Sequence, residues 1–197
     1  MQCTPIILRG QYVTLEPLSP EHLSGIQSAV TDGDLSSLFF TSVPSFENTQ
    51  NWLNAALDMQ AEQKAIPFIA RDNITGEIIG STRYCNLDHN NMRLEIGYTW
   101  YAARAQRTAI NTECKLMLLT HAFEVFDCIA VEFRIDWFNR RSQAAIERLG
   151  AKRDGVLRNH MVLPDGRVRD TVVYSVLGLE WAGIKKNLQY MLNRDRG

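Results

Sequence analysis

The chain has 197 residues, 45% of them hydrophobic and 22% charged, a balance that suits one globular domain with a sizeable core and argues against disorder. A formal net charge of -1 gives no global attraction to nucleic acid or an anionic membrane, so any anion recognition has to be local. No stretch is long and apolar enough to span a membrane, and Cys3, Cys85, Cys114 and Cys128 form no C-x-x-C pair, so reduced thiols, no metal site and a cytoplasmic location are expected. The amino-terminal residues lack a secretory pattern, in keeping with that placement.

In chain order, Leu8 to Leu18 read as a short strand ended by Pro17, with Val13 and Leu15 on one face. Ser19, Pro20 and Glu21 open a helix that buries Leu23, Ile26 and Val30 and stops at Asp32-Gly33-Asp34. Residues 35–47 form an irregular connection whose Phe39, Phe40 and Phe46 either anchor it in the core or line an acceptor pocket. A second helix opens at Asn48 or Thr49 on Trp52, Leu53, Ala56, Leu57 and Met59, and ends near Lys64. Residues 65–85 read as a hairpin turning at Asn73 to Gly76. The next strand, Arg93 to Trp100, alternates Leu94, Ile96, Tyr98 and Trp100 on one face with Arg93, Glu95, Gly97 and Thr99 on the other, and Gly97 suggests a bulge or a close backbone approach by a ligand.

Residues 104–126 are a basic loop running into an apolar helix. Asn111 or Thr112 is predicted as the N-cap, and Glu113, Thr120, Glu124 and Asp127 make the single polar stripe. First-turn amides without intrahelical partners, with Arg104 and Arg107 beside them, suit a phosphate-bearing ligand. Beyond this helix, Val131 to Asp136 is a strand, and Asn139 caps a short helix ended by Gly150. Val156 to Leu163 and Arg167 to Leu177 form a hairpin about Pro164-Asp165-Gly166, and Trp181, Ile184, Leu188 and Met191 mark a final amphipathic helix. With no linker or repeat, residues 1–197 are expected to be one domain.

This succession resembles the GNAT superfamily of acetyl-CoA-dependent N-acetyltransferases over nearly the whole chain. Leu8-x-Gly10-x-x-Val13-x-Leu15-x-Pro17-Leu18, Glu95-Ile-Gly97-Tyr-Thr-Trp100, Asn111-Thr-Glu113 and Asn139-x-x-Ser142 look like the branch of ribosomal-protein N-terminal acetyltransferases. The resemblance implies an α+β (mixed α/β) fold, with a mostly antiparallel mixed sheet, a central V-shaped splay and flanking helices. Acetyl-CoA would be the cosubstrate, without metal, the acceptor an amine such as a ribosomal-protein N-terminus, and the assembly a homodimer. In the family a Gln/Arg-x-x-Gly-x-Gly/Ala loop wraps the pyrophosphate. Gln106, Arg107, Thr108, Ala109, Ile110 and Asn111 stand there with both glycines replaced, so Ala109 is expected to keep negative φ or the loop to follow a modified path. Arg104 and Thr112 would flank that loop, Gly97, Tyr98, Thr99 and Trp100 would line the pantetheine, and Asn139 and Ser142 would close the site.

Acetyl transfer needs an unprotonated amine, a stabilised oxyanion and a proton for the departing thiolate. A peptide α-amine, with a pKa of about 7.7–8.0, needs only a weak base working through water. Glu95 is the first candidate base and His160 the second, with Asp170 either an acceptor carboxylate or half of a structural ion pair. Ser142 is the candidate acid, and a backbone amide near Gly97 to Thr99 the candidate oxyanion donor. A small amine such as an antibiotic or polyamine is an alternative acceptor, and a non-catalytic CoA-binding regulator is the alternative function. Neither a P-loop nor a G-x-G-x-x-G motif is present, which disfavours nucleotide hydrolysis and dinucleotide redox chemistry.

Overall fold

The computed structural model describes residues 4–194, so Cys3 lies outside the described residues. Among these the strands are β1 (Leu8–Arg9), β2 (Val13–Pro17), β3 (Ala65–Asp72), β4 (Ile78–Asp88), β5 (Arg93–Tyr101), β6 (Ala130–Asp136), β7 (Lys152–Val162) and β8 (Val168–Leu177). The helices are α1 (Leu23–Val30), α2 (Thr49–Ala61), α3 (Ala109–Glu124), α4 (Arg140–Leu149) and α5 (Trp181–Arg194). All strands join one sheet in the order β1-β2-β3-β4-β5-β6-β8-β7, antiparallel throughout except for the β5–β6 pair.

Apolar residues from both faces of this sheet make two cores. Leu94, Ile96, Tyr84, Phe133 and Val172 pack with Leu118 of α3 and Leu188 of α5, while Ile69, Ile78 and Trp100 pack with Ile26 of α1 and Leu53 of α2. Helix α4 ends where Gly150 takes a left-handed conformation at φ 105°, which a side chain adopts only with strain.

The expected first strand is two, broken at Gly10 to Tyr12. The Glu113 carboxylate on α3 accepts the amides of Gln11 (2.7 Å), Tyr12 (2.7 Å) and Val13 (3.0 Å), so this corner is clasped to the helix instead of to a strand. Glu113 is 6% exposed and belongs to no solvent-facing stripe.

Two local features of β5 position everything that follows. Its neighbour β4 pairs Arg83 with Gly97 and Ser81 with Trp100, so one extra residue is inserted in β5, and Tyr98 there has φ 52°. The bulge reverses the alternation predicted from sequence. Thr99 joins Leu94 and Ile96 on the α3 side, whereas Tyr98 and Trp100 share the opposite side with Glu95. The second feature is the parallel pairing with β6, which runs only through Arg93–Ala130, Leu94–Val131 and Glu95–Glu132. Past that point the strands part, and the V-shaped splay expected from the resemblance is present.

Candidate active site

The splay opens toward the start of α3. Thr108 is the N-cap, three residues before the predicted Asn111 and four before Thr112: its hydroxyl accepts from the Ile110 amide (3.3 Å) and donates to the Ala105 carbonyl (2.8 Å). Ala109 and Asn111 therefore lie within the helix, and the one left-handed residue of the loop is Arg107, at φ 62°. The loop replaces glycine by moving the strained position two residues upstream of Ala109. Gln106 braces it by donating to the Tyr101 carbonyl (2.8 Å).

The charges around this helix end differ from expectation. Arg104 points away, bonded to Asp32 (2.7 Å) and paired with Glu77 (3.2 Å), so its charge is compensated by carboxylates on the α1 side. Arg148, on α4, takes its place by donating to Thr112 Oγ1 (3.2 Å), and the exposed Arg107 is the second cation.

On the sheet face opposite α3, Glu95 is 7% exposed. Burial raises its pKa, against the pull of a hydrogen bond from Asn86 Nδ2 (2.7 Å) and of Arg134 (3.6 Å). Arg134 also binds Glu132 (3.1 Å), which holds Arg93 as well. At the far end of β6, buried Asp136 accepts from Arg167 (2.8 Å) and from the Phe138 amide (2.9 Å), with Arg169 at 3.9 Å. The carboxylates along this wall are thus already matched by arginines.

Aromatic side chains frame the same wall. Tyr98 lies under the Arg83 guanidinium (4.1 Å), and Phe39 lies 5.8 Å from Phe138 with Arg167 over its ring at 5.0 Å. Phe39 is 56% exposed and Phe46 48%, so neither is a core anchor. Core anchoring, the first of the two roles left open for the 35–47 connection, therefore does not hold for Phe39, whose ring packs on Phe138 and Arg167.

A family model described as "Acetyltransferase (GNAT) domain" matches residues 13–152. The chain belongs to the GNAT acetyltransferase family. Among relatives, it is 27% identical over 185 residues, 89% of this chain and 97% of the other, to a Bacillus subtilis (strain 168) protein with the provisional name ribosomal N-acetyltransferase YdaF. A GCN5-related N-acetyltransferase from Brucella melitensis is similar in structure, with a TM-score of 0.86, 29% identity and coverage of 95% of this chain and 85% of that one. Mycobacterium smegmatis RimJ, solved with CoA-disulfide, shares the fold at a TM-score of 0.76 and 18% identity, over 95% and 93% of the two chains.

Within this GNAT framework the sequence candidates distribute unevenly. Gly97 and Thr99 lie where β5 leaves β6, whereas the Trp100 side chain is 5% exposed in the second core and brings only backbone to the gap. Asn139 caps α4 by accepting the Ser142 amide (3.0 Å), so both residues have a structural role at that helix start. His160 lies in a second irregularity, where Asn159 has φ 49° and Leu157 and Met161 flank an interruption of the β7–β8 register. Its Nδ1 is 3.0 Å from Thr171 Oγ1, and Thr171 is the β8 partner of Asp136, so the ring lies at the far end of β6 from the Glu95 pairing. Asp170 is half of an ion pair with Arg158 and also accepts the Asn159 amide (2.7 Å).

Five groups carry no mark in the sequence reading: Asn86, Arg134, Asp136, Arg148 and Lys115. Arg134 and Asp136 are β6 residues whose partners come from other strands, and Asn86 is a left-handed residue (φ 48°) at a register shift of β4 whose amide reaches Glu95. Lys115 is 2% exposed, and its Nζ donates to Thr99 Oγ1 (3.1 Å), itself 2.7 Å from Thr82 Oγ1. A lysine amid an apolar helix face was the available signal.

Proposed function

We propose that this chain transfers acetyl from acetyl-CoA to the α-amine of a protein N-terminus, of the ribosomal-protein type, by direct attack in a ternary complex in the cytoplasm. The carrying observation is the loss of β5–β6 pairing after Glu95 and Glu132, directly ahead of the α3 N-terminus. Unpaired backbone groups of the parting strands fit the amides of pantetheine, and the first-turn amides with Arg107 and Arg148 fit its diphosphate. Acetyl-CoA supplies the activated acyl group; the protein positions it and handles protons.

Glu95 acts as the base through water. Its raised pKa makes it a stronger proton acceptor than an exposed glutamate, and Asn86 and Arg134 fix the orientation of its carboxylate. Ser142 donates a hydrogen bond toward the leaving sulfur, and His160 orients the acceptor from the β7–β8 hairpin. The acceptor wall favours a peptide over a polyamine, because Glu132, Asp136 and Asp170 are already neutralised by arginines and leave no acidic cluster for a polycation. The provisional name of the Bacillus subtilis relative points the same way.

The test is thiol release from acetyl-CoA with a panel of N-terminal peptides, lysine peptides, polyamines and aminoglycosides, together with mass spectrometry of the protein. Turnover with α-amine peptides and no acetyl label on the enzyme is expected. CoA binding without turnover on any acceptor would refute catalysis, and preference for a small amine would refute the peptide assignment.

A further inference from the structure

Lys115 is a buried cation with no role in the scheme above. It lies in the second turn of α3, pointing at the sheet where β5 and β6 separate. Its Nζ is 3.1 Å from Thr99 Oγ1 on one arm of the V and 5.7 Å from the Phe133 ring centroid on the other, both just past the last paired residues. The surrounding elements offer little compensation. β4 gives Thr82, β5 gives Thr99, β6 gives Phe133, and α3 itself gives the buried Cys114 thiol, which Tyr101 of β5 also meets; among the described residues no carboxylate lies within ion-pair distance of Lys115. An unpaired ammonium withdrawn from water is costly unless an anion meets it in use.

Building on the function proposed above, we propose that Lys115 is the counter-ion for the coenzyme A sulfur: as the amine nitrogen bonds to the acetyl carbon and the C–S bond breaks, its ammonium hydrogen-bonds the thiolate that leaves with the electron pair. Serine is far too weak an acid to protonate a thiolate at neutral pH, so Ser142 alone leaves that charge unanswered. Burial has already brought the Lys115 pKa down to about 8, near that of a free thiol at about 8.5, so ammonium and thiolate hold one proton between them at little cost. A thiolate beside it raises the lysine pKa again, and this reciprocal effect makes the idea measurable.

The experiment uses the intact protein. The thiol of bound CoA is titrated by its thiolate ultraviolet absorbance, and CoA and desulfo-CoA affinities are compared by calorimetry at pH 8, for wild type, Lys115→Met and Lys115→Arg. In wild type the bound thiol should titrate about one unit below the free value, and at pH 8 CoA should bind about threefold more tightly than desulfo-CoA. Lys115→Met should abolish both differences while keeping desulfo-CoA affinity, and Lys115→Arg should restore part of them. Should Lys115→Met fail to fold, the wild-type titration still decides, because an unshifted bound thiol overturns the proposal. So does acetyl found on Lys115, which would make it a nucleophile. Failure of the wild type to bind either ligand would overturn the acetyl-CoA reading itself.

Discussion

The Glu113 clasp allows a prediction of some size. Its carboxylate accepts three backbone amides, one fully buried and two partly so, from the corner between β1 and β2. In Glu113→Ala those donors lose a charged acceptor in a space too confined for full hydration. Leaving a buried donor unsatisfied costs about 1–3 kcal/mol, so roughly 1 kcal/mol for each partly buried amide and up to about 3 for the Val13 amide give about 3–5 kcal/mol in all. For a domain of this size that is a fall in Tm of roughly 10 °C, read by thermal or urea denaturation. Gly10→Ala attacks the clasp from the other side, since a Cβ there would lie 2.4 Å from the Glu113 carboxyl carbon. Both substitutions should also weaken CoA binding, because the clasp fixes where α3 begins. A loss under about 1 kcal/mol for Glu113→Ala would refute the assignment of these bonds as structural.

Glu95→Gln should lower kcat/KM by about 10²–10⁴ with the fold intact, and wild-type kcat/KM should decline as acid pH protonates Glu95; an unchanged rate would remove Glu95 as base. For stability the sign is opposite: a carboxyl whose pKa is raised on folding favours the native state below its unfolded pKa, and the advantage is lost as pH rises through the folded value. Glu95→Gln should therefore flatten the stability profile on the alkaline side of 4.5, read by denaturation at several pH values. Arg107→Gly should relieve a left-handed residue, stabilising by up to about 1 kcal/mol, while raising the KM for acetyl-CoA several-fold; a loss of stability or an unchanged KM would refute this division of roles. Asp136→Ala should cost about 3–5 kcal/mol in urea denaturation, because it leaves Arg167 and Arg169 facing each other without their shared carboxylate.

Much of this architecture could be read from the chain because its signals are local. Ser19-Pro20, Asn139 and Gly150 mark helix ends through their own backbone chemistry, and the alternation in β6 follows from an apolar core on its α3 side and charged residues on the other. The errors share a different origin. Glu113 fits a polar stripe by helical spacing, but its partners are about a hundred residues away, and only tertiary structure shows that the stripe begins under another turn. Arg104 sits in a basic loop by sequence, yet Asp32 and Glu77, brought from elsewhere, claim its charge. Asn111 and Thr112 are both good N-caps by residue type, and Thr108, which takes the role, competes with them equally well. Phe39 could not be assigned because its environment is Arg167 and Phe138, both from the other half of the chain.

The bulge at Tyr98 ties these observations together. A regular β5 would have turned Thr99 toward Glu95 and carried Trp100 into the core beneath α3. One inserted residue instead sends Thr99 to Lys115, delivers Trp100 to the core beneath α1 and α2, and leaves Tyr98 beside Arg83 on the face that carries Glu95. The same irregularity falls within the stretch of β5 that no longer pairs with β6, so side-chain direction and backbone availability change together there. Gly97 is suited to that junction because a Cβ would lie 2.8 Å from Glu95 Oε1 and 3.2 Å from Cys85 Sγ, which would push the proposed base out of place. The glycine thus matters less for the freedom of its own backbone, whose φ is not left-handed, than for the space it leaves to Glu95.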